Sequence, residues 1–174
     1  MLFASKWNIC KGKFGAFQAS LIPPTWVKDD KGNSKVTREG SIMIEMAKVL
    51  RKEGDIYFYD WSKEKKVSIS LGVPDICRIV DAGDTEFSLV HTTDKGTKTM
   101  FFKPGKGDYE GTMNMNLIHK KPDGETNSVN IAFSYGEWAV FTKLIENQVD
   151  SMLGWDKVCL VEQTQTPMPP VFEG

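Results

Sequence analysis

Aromatic rings and lysine side chains occur close together in three segments of the 174-residue sequence. In one of them, Tyr57, Tyr59 and Trp61 alternate along the chain and Lys63 follows them closely. Such rings stack on unpaired bases, at roughly 1–3 kcal/mol per base, and lysine ammonium groups neutralise phosphates. A double helix hides the faces of its bases, so the combination predicts a surface that binds a single nucleic-acid strand.

Two other segments, Lys11–Phe17 and Lys98–Lys103, repeat the combination. In the first, two lysines and a phenylalanine would share one strand face if no bulge intervenes. In the second, two lysines flank an apolar run in which alternation must turn one of two adjacent phenylalanines outward. The alternative for every position is an ordinary strand with solvated lysines and core aromatics. The candidate residues of these two segments are Lys11, Lys13, Phe17, Lys98, Phe101, Phe102 and Lys103.

The distribution of charge matters more for binding than its sum. A net charge of −1 argues weakly against nucleic-acid binding. Residues 1–66, however, carry 13 Lys+Arg against 8 Asp+Glu, a balance of +5, whereas residues 67–174 carry 9 against 15, a balance of −6. The acidic residues are concentrated after residue 134. The sequence therefore predicts a molecule with one basic side.

Hydrophobic alternation and turn residues predict the elements that position these side chains. Ile42, Ile44 and Met46 alternate with other residues, which is typical of a half-buried strand. Pro74 suits the first turn of a helix that Gly83 can end. Four strands are expected before this helix, at 6–22, 40–48, 57–61 and 67–71, with a loop over 26–39.

The second half of the chain repeats this order. Four strands are expected at 87–92, 97–103, 111–120 and 128–133, and Ser134 begins a helix that Gly154 can end. Its apolar stripe from Trp138 to Leu153 is wide enough to predict burial in a subunit interface as well as in the core. The sequence thus predicts one domain over 1–156 and an extended, proline-containing tail over 157–174.

Five segments of the chain together carry a resemblance to a known family: Lys11–Ala16, Arg38–Ala47, Tyr59–Lys63, Val67–Leu71 and Ile131–Asp156. They resemble segments of the Whirly family of single-stranded DNA-binding proteins and occur in the same order as in that family. The first is similar to the family's lysine-glycine-lysine-alanine element, the next three to its second, third and fourth strands, and the last to its second helix. The resemblance covers roughly residues 8 to 156.

The resemblance implies an α+β fold of two four-stranded antiparallel sheets packed roughly at right angles, each followed by a helix. It also implies a homotetramer that assembles through the helices and binds single-stranded DNA along the sheets with little sequence preference. Kinetoplastid guide-RNA-binding proteins share this architecture, so a guide RNA or messenger RNA is the alternative ligand.

We therefore expect a sequence-nonspecific single-stranded DNA-binding protein that acts in replication, repair or recombination and is not an enzyme. The sequence contains no phosphate-binding loop, nucleophile elbow or zinc-ligand spacing, so neither a cofactor nor a metal is expected. The rival class is a closed barrel that holds a small apolar ligand.

The remaining expectations concern location and the tail. No apolar run is long enough to span a membrane, and the first residues lack the architecture of a secretion signal. This favours the cytoplasm of a bacterial or phage-infected cell, or an organelle matrix if a transit peptide has been removed. The tail is expected to compete with DNA or to contact other replication or recombination proteins, with an end of no function as the alternative.

Overall fold

The structure, a computed structural model, describes residues 6–156. In chain order its strands are β1 (Lys6–Cys10), β2 (Ala16–Ile22), β3 (Thr25–Lys28), β4 (Ser34–Arg38), β5 (Ser41–Ala47), β6 (Val49–Glu53), β7 (Ile56–Tyr59), β8 (Val67–Leu71), β9 (Phe87–Thr93), β10 (Gly96–Pro104), β11 (Thr112–Lys120) and β12 (Thr126–Ser134). The helices are α1 (Val73–Ala82), α2 (Tyr135–Glu146) and α3 (Val149–Leu153), and short 3₁₀ turns lie at Gly12–Phe14 and Gly107–Tyr109.

Eight of these strands form two four-stranded antiparallel sheets. Sheet 1 has the spatial order β1-β2-β5-β8, and sheet 2 has the order β12-β11-β10-β9. α1 follows sheet 1 in the chain and α2 follows sheet 2. The other four strands form two ribbons, β3–β4 and β6–β7. The predicted α+β class is confirmed, and since both sheets are open, the closed barrel considered as the alternative is wrong.

The inner faces of the two sheets and α2 share one hydrophobic core. Alternate residues of β5 and β11, such as Ile44 and Met115, are fully buried. Phe17 of sheet 1 meets Phe133 of sheet 2 edge to face, with ring centroids 5.1 Å apart, and meets Phe141 of α2 in the same way at 5.6 Å. Aromatic pairs with this geometry stabilise a core beyond their buried area. The two halves are therefore packed together through the aromatic side chains.

The N-terminal segment is a hairpin and not the single strand predicted over 6–22. The 3₁₀ turn at Gly12–Phe14 interrupts it, and Gly15 follows with a φ of +132°, which other residues rarely adopt. A Cβ on Gly15 would also lie only 2.8 Å from the carbonyl oxygen of Ala47. The chain therefore reverses here, and β1 pairs antiparallel with β2.

The two ribbons correct two further predictions. The loop predicted over 26–39 contains β3 and β4, which pair across a turn held by hydrogen bonds to the Asp29 carboxylate. The strand predicted over 57–61 ends at Tyr59 and pairs with β6, so it is not part of sheet 1. Most residues of β3, β4 and β6 are exposed. They consequently lack the apolar alternation by which a sheet strand is recognised.

The C-terminal helix begins as predicted but is divided in two. The Ser134 hydroxyl accepts a hydrogen bond from the N–H of Glu137 at 3.3 Å, which caps α2. α2 ends at residue 146, and a turn leads into α3, which Gly154 ends in the left-handed conformation. The carbonyl of Met152 accepts a hydrogen bond of 2.8 Å from the N–H of Gly40. α3 is thereby held against the start of β5.

Two negative findings apply to residues 6–156. No helix in this part of the chain is long and apolar enough to cross a membrane. Nor do its His, Cys, Asp and Glu side chains form a group that could hold a metal ion. The predicted tail at 157–174 lies outside the described residues.

Candidate nucleic-acid interface

The β6–β7 ribbon packs on the turn between β1 and β2. The hydroxyl of Tyr59 lies 3.3 Å from the carbonyl oxygen of Gly12, to which it donates a hydrogen bond. The ring of Tyr57 lies 3.5 Å from the point that a Cβ on Gly12 would occupy. Both tyrosines are partly exposed. The structure therefore brings two of the predicted aromatic residues to the predicted lysine segment.

Burial raises the pKa of Tyr59 above its ordinary value, and the thiol of Cys10 acts in the same direction. The phenol therefore keeps its proton at neutral pH and remains a hydrogen-bond donor to the turn. Lys52, the strand partner of Tyr57 in the ribbon, places its ammonium nitrogen 5.3 Å from the centroid of that ring. This distance is within the range of a cation–π contact.

The 3₁₀ turn carries Lys13 and Phe14 into solvent. The ring of Phe14 is 59% exposed, and the ammonium nitrogen of Lys13 lies 5.2 Å from its centroid. Phe14 also lines a depression of about 380 Å³ together with Lys103 and Tyr109 of the second half. The turn is thus the link between the β6–β7 ribbon and the outer face of sheet 2.

The outer face of sheet 2 holds a groove. An adjoining depression of about 290 Å³ shares Lys103, Asn114 and Asn130 with the one that contains Phe14, so the two are continuous. Tyr109 is 61% exposed, and Lys106 next to it on the same loop is exposed as well. We call this surface the sheet-2 groove. Its aromatic, lysine and asparagine lining residues are Phe14, Phe101, Lys103, Lys106, Tyr109, Asn114, Asn116 and Asn130.

The two adjacent phenylalanines of β10 have opposite environments. Phe101 is 42% exposed in the sheet-2 groove, whereas Phe102 is completely buried and stacks on Phe87 with ring centroids 4.3 Å apart. Phe17 is completely buried as well. The prediction that Phe17 shares an exposed face with the neighbouring lysines is wrong because the Gly12–Phe14 turn separates them. Phe17 and Phe102 are therefore core residues that offer no ring face to a base.

The two candidate lysines of β10 lie on opposite faces of the strand, because five positions separate them. Lys103 is on the outer face in the sheet-2 groove, where its ammonium nitrogen lies 3.7 Å from a carboxylate oxygen of Glu86. Lys98 is on the inner face, where it pairs in register with His91. Burial lowers the pKa of Lys98, and nearby Lys95 adds to the effect. Lys98 is therefore not part of the surface that contains Lys103.

Lys11 makes an ion pair that connects the two halves of the molecule. Its ammonium group contacts the carboxylate of Glu137, and the Lys11 side chain is only 22% exposed. Burial by itself raises the pKa of Glu137, but hydrogen bonds from Lys11 and Ser134 outweigh it and hold that pKa below its ordinary value. The phosphate contact of Lys11 stays a prediction, and a phosphate there would compete with an internal carboxylate partner.

Trp61 and Lys63 lie in the turn between β7 and β8. The Asp60 carboxylate fixes this turn by accepting hydrogen bonds from the backbone N–H and the hydroxyl of Ser62, at 3.1 and 2.6 Å. Trp61 is partly buried and Lys63 is exposed. Because β7 ends at Tyr59, Trp61 does not continue the strand row that was predicted.

Several residues of the sheet-2 groove were missed by the sequence analysis, namely Phe14, Lys106, Tyr109 and the three asparagines. A signal for the asparagines existed, because Asn114 and Asn116 alternate with buried Met113 and Met115 on β11. Period-2 alternation already places these amides on the outer face. Phe14 and Tyr109 sit in 3₁₀ turns between glycines, where the sequence carries no such periodicity.

Comparison with known proteins shows which family the sequence matches. The family model described as "Whirly transcription factor" matches residues 9–144. A curated relative is the chloroplastic single-stranded DNA-binding protein WHY1 of Zea mays, which is 26% identical over 168 residues. The match covers 87% of this chain and 57% of the relative, so the chain spans little more than half of the maize protein's length.

Solved structures show the same fold. WHY1 of Arabidopsis thaliana superposes with a TM-score of 0.83 at 21% identity, and the match covers 99% of each chain. WHY3 of the same plant gives 0.82 at 23% identity, with 94% of this chain and 96% of WHY3 covered. The plant transcriptional regulator PBF-2 gives 0.80 at 23% identity, with coverage of 97% and 92%.

Proposed function

We propose that this chain, which belongs to the Whirly family, binds single-stranded DNA without sequence preference and does so without being an enzyme. The observation that carries the proposal is the continuous surface formed by the β6–β7 ribbon, the Gly12–Phe14 turn and the sheet-2 groove. Exposed rings and lysines occur together along it. The name of the Zea mays relative as a single-stranded DNA-binding protein supports the same ligand.

In the proposed mechanism, bases stack on the exposed rings of Phe14, Phe101 and Tyr109. Each base–ring contact contributes about 1–3 kcal/mol, and every base offers a π face, so stacking gives affinity without sequence preference. Lys103 and Lys106 neutralise phosphates at the rim of the groove. Lys13 does so at the turn, where the tyrosines of the ribbon extend the stacking surface.

The charge of the whole chain does not oppose this mechanism. Lys13, Lys103 and Lys106 are exposed side chains beside exposed rings, and only the local field acts on a strand that lies in the groove. The paired lysine of the groove, Lys103, faces Glu86 at 3.7 Å with both side chains more than half exposed. Such an exposed pair is weak, so a phosphate can replace the carboxylate.

The proposal is tested by fluorescence-anisotropy titration with a labelled oligomer of about 30 nucleotides, long enough for several contacts per strand. Single-stranded DNA, its duplex and the equivalent RNA are compared at two salt concentrations. Binding to the single DNA strand that weakens with salt is expected, and the duplex should bind much more weakly. Equal binding of RNA would favour the alternative of an RNA-binding protein, and binding to none of the three would contradict the proposal.

The assembly and the cellular role are also proposals. Assembly as a homotetramer through the helices, with the two sheets of each protomer crossing at about right angles, is supported by the apolar side chains that α2 leaves exposed, Val140 and Leu144. A role in replication, repair or recombination follows from the exposure of single strands in those processes. Location in a bacterial cytoplasm or an organelle matrix stays a prediction, as do the proposed contacts of the tail; the chloroplastic location belongs to the Zea mays relative.

A further inference from the structure

Three asparagines form a patch on the outer face of sheet 2. Asn116 of β11 lies directly between Phe101 of β10 and Asn130 of β12 in the strand register. Asn114 lies two residues away on β11, opposite Lys103. Side chains that are directly opposite on one face have Cβ atoms about 5 Å apart, within reach of a shared ligand. All three amides line the sheet-2 groove.

Among the described residues, Asn116 differs from some other amides in having an oxygen with no internal hydrogen-bond partner. Gln18 and Asn127 donate hydrogen bonds of 2.6 Å to Glu45 and to the carbonyl of Lys65. The side chain of Asn116, in contrast, has a buried Oδ1 for which residues 6–156 supply no hydrogen-bond donor. Buried polar groups of folded proteins are nearly always paired, and an orphaned one is destabilising. Rotation of the carboxamide about its last torsion would bring Oδ1 into the groove, where a ligand can supply the missing partner.

We propose that Asn114, Asn116 and Asn130 hydrogen-bond to the edges of bases that stack on Phe101 and its neighbours; this inference rests on the proposed function. A carboxamide presents a donor and an acceptor side by side. Each of the four bases presents a donor next to an acceptor on its Watson–Crick edge. Since the amide can turn over about its last torsion, each asparagine can match any base. Edge contacts therefore arise without sequence preference.

The same contacts exclude a double helix. In a duplex the Watson–Crick edges are occupied by the opposite strand, whereas in a single strand they are free for side chains. Phosphate groups fit this role less well, because their oxygens only accept hydrogen bonds and cannot supply the donor that Oδ1 of Asn116 lacks. The asparagine patch lies beside the exposed Phe101 ring, where a base that stacks on the ring also brings its edge over the sheet.

The test compares two oligomers in anisotropy titrations with the full chain. One contains thymidine, and the other contains difluorotoluene nucleotides, which keep the shape and the stacking face of thymine but form no strong hydrogen bonds. Wild-type protein should bind the thymidine oligomer at least tenfold more tightly. Equal binding would overturn the inference and leave the proposed function intact, whereas failure to bind either oligomer would overturn the function itself.

Substitutions identify the side chains responsible. Asn116→Leu keeps the shape of the side chain and should lower affinity for the thymidine oligomer by about 2- to 12-fold, the factor expected of one hydrogen bond. Its affinity for the difluorotoluene oligomer should not change. The matched control is Asn8→Leu, because Asn8 is exposed on β1 of sheet 1, outside the groove. If Asn116→Leu weakened binding of both oligomers equally, the inference would be wrong.

Thermal unfolding gives a second measurement on the same variant. Because residues 6–156 supply no donor to Oδ1 of Asn116, Asn116→Leu removes an orphaned acceptor, and the unfolding temperature of this variant should stay the same or rise. A fall of several degrees would show that the amide has a structural partner after all, and would overturn the inference at its premise.

Discussion

At the scale of the residue, two adjacent phenylalanines have different roles: Phe101 is proposed to bind a base, and Phe102 packs in the core. The two rings have the same chemistry and adjacent positions, but one lies in the sheet-2 groove and the other is buried against Phe87 and Trp138. Alternation along a strand requires this division without saying which ring is outside. That choice depends on the register of β10 against β9 and β11, which is set by the core.

We expect Phe101→Ala to weaken binding to single-stranded DNA by about 5- to 150-fold, because it removes one stacking contact of roughly 1–3 kcal/mol. The unfolding temperature should change little, since the ring is partly exposed. Phe102→Ala is the control, with the opposite result: a loss of about 3–5 kcal/mol in the free energy of unfolding from a core cavity. Anisotropy titration and thermal unfolding of both variants measure the difference. Normal affinity of Phe101→Ala would exclude this ring from the interface.

At the scale of the element, the ion pair between Lys11 and Glu137 joins the β1–β2 turn to the first turn of α2. Glu137 also receives the backbone N–H of Ser134 at 2.7 Å, so one carboxylate serves the helix cap and the contact between halves. The orientation of the turn that exposes Lys13 and Phe14 thus depends on a residue of the other half of the chain.

A pH dependence of stability follows from this carboxylate. The pKa of Glu137 in the folded protein lies below its ordinary value of 4.5, so its ionised form stabilises the fold above about pH 4.5 and this contribution is lost as the pH falls through the folded-state pKa. Glu137→Gln keeps the capping geometry but not the charge, and should cost roughly 1 kcal/mol at pH 7. Urea unfolding at several pH values measures it.

The difference between Glu137→Gln and wild type should shrink steadily below pH 4.5 and vanish in more acidic solution. Glu146→Gln is a suitable control, because its exposed pair with Lys143 at the other end of α2 should contribute less than about 0.5 kcal/mol at any pH. A difference that persisted at low pH would show that the charge of Glu137 is not its source.

The elements also show how far sequence reasoning extends. Strands of sheet 2 were predicted close to their observed bounds because each has one buried face and is joined to the next by a short turn. β3, β4 and β6 were missed because exposed strands need no apolar alternation. The hairpin at 6–22 was missed because its cause, the close approach of Gly15 to Ala47, is a contact with a distant part of the chain. The groove crosses from one half of the molecule to the other, so only its individual aromatic–lysine segments could be predicted.

At the scale of the whole molecule, the salt dependence of binding counts the phosphates that the surface neutralises. The logarithm of the affinity should fall linearly with the logarithm of the salt concentration, by about 0.7 per phosphate. Replacing Lys13, Lys103 and Lys106 together by glutamine should make the slope shallower by about 2. The same change at Lys28, Lys31 and Lys35 of the β3–β4 ribbon alters the net charge equally. If the salt dependence of affinity became equally shallow in both triple variants, general electrostatic attraction and not the groove would account for binding.

Oligomeric state is the second property at this scale. Val140 and Leu144 are exposed on α2, which packs beside α1. Exposed apolar side chains on adjacent turns of a helix are typical of a subunit interface. We expect wild-type protein to behave as a tetramer in light scattering after size exclusion, and Val140→Glu with Leu144→Glu to give smaller species. Val27→Glu on β3 is the control, and a monomeric wild type would contradict the assembly.

The hydrogen bond from Gly40 to Met152 has a consequence for folding while the chain is being synthesised. Its two partners leave the ribosome roughly 110 residues apart, which at about 5–20 residues per second is a delay of about 5–20 s. During this interval the apolar face of sheet 1 remains exposed, because Phe133 and Phe141, which cover it, have not yet been synthesised. Sheet 2 forms from successive hairpins and needs no such delay. The half that is synthesised first is therefore the last to be completed, and its apolar face stays exposed for longest during synthesis.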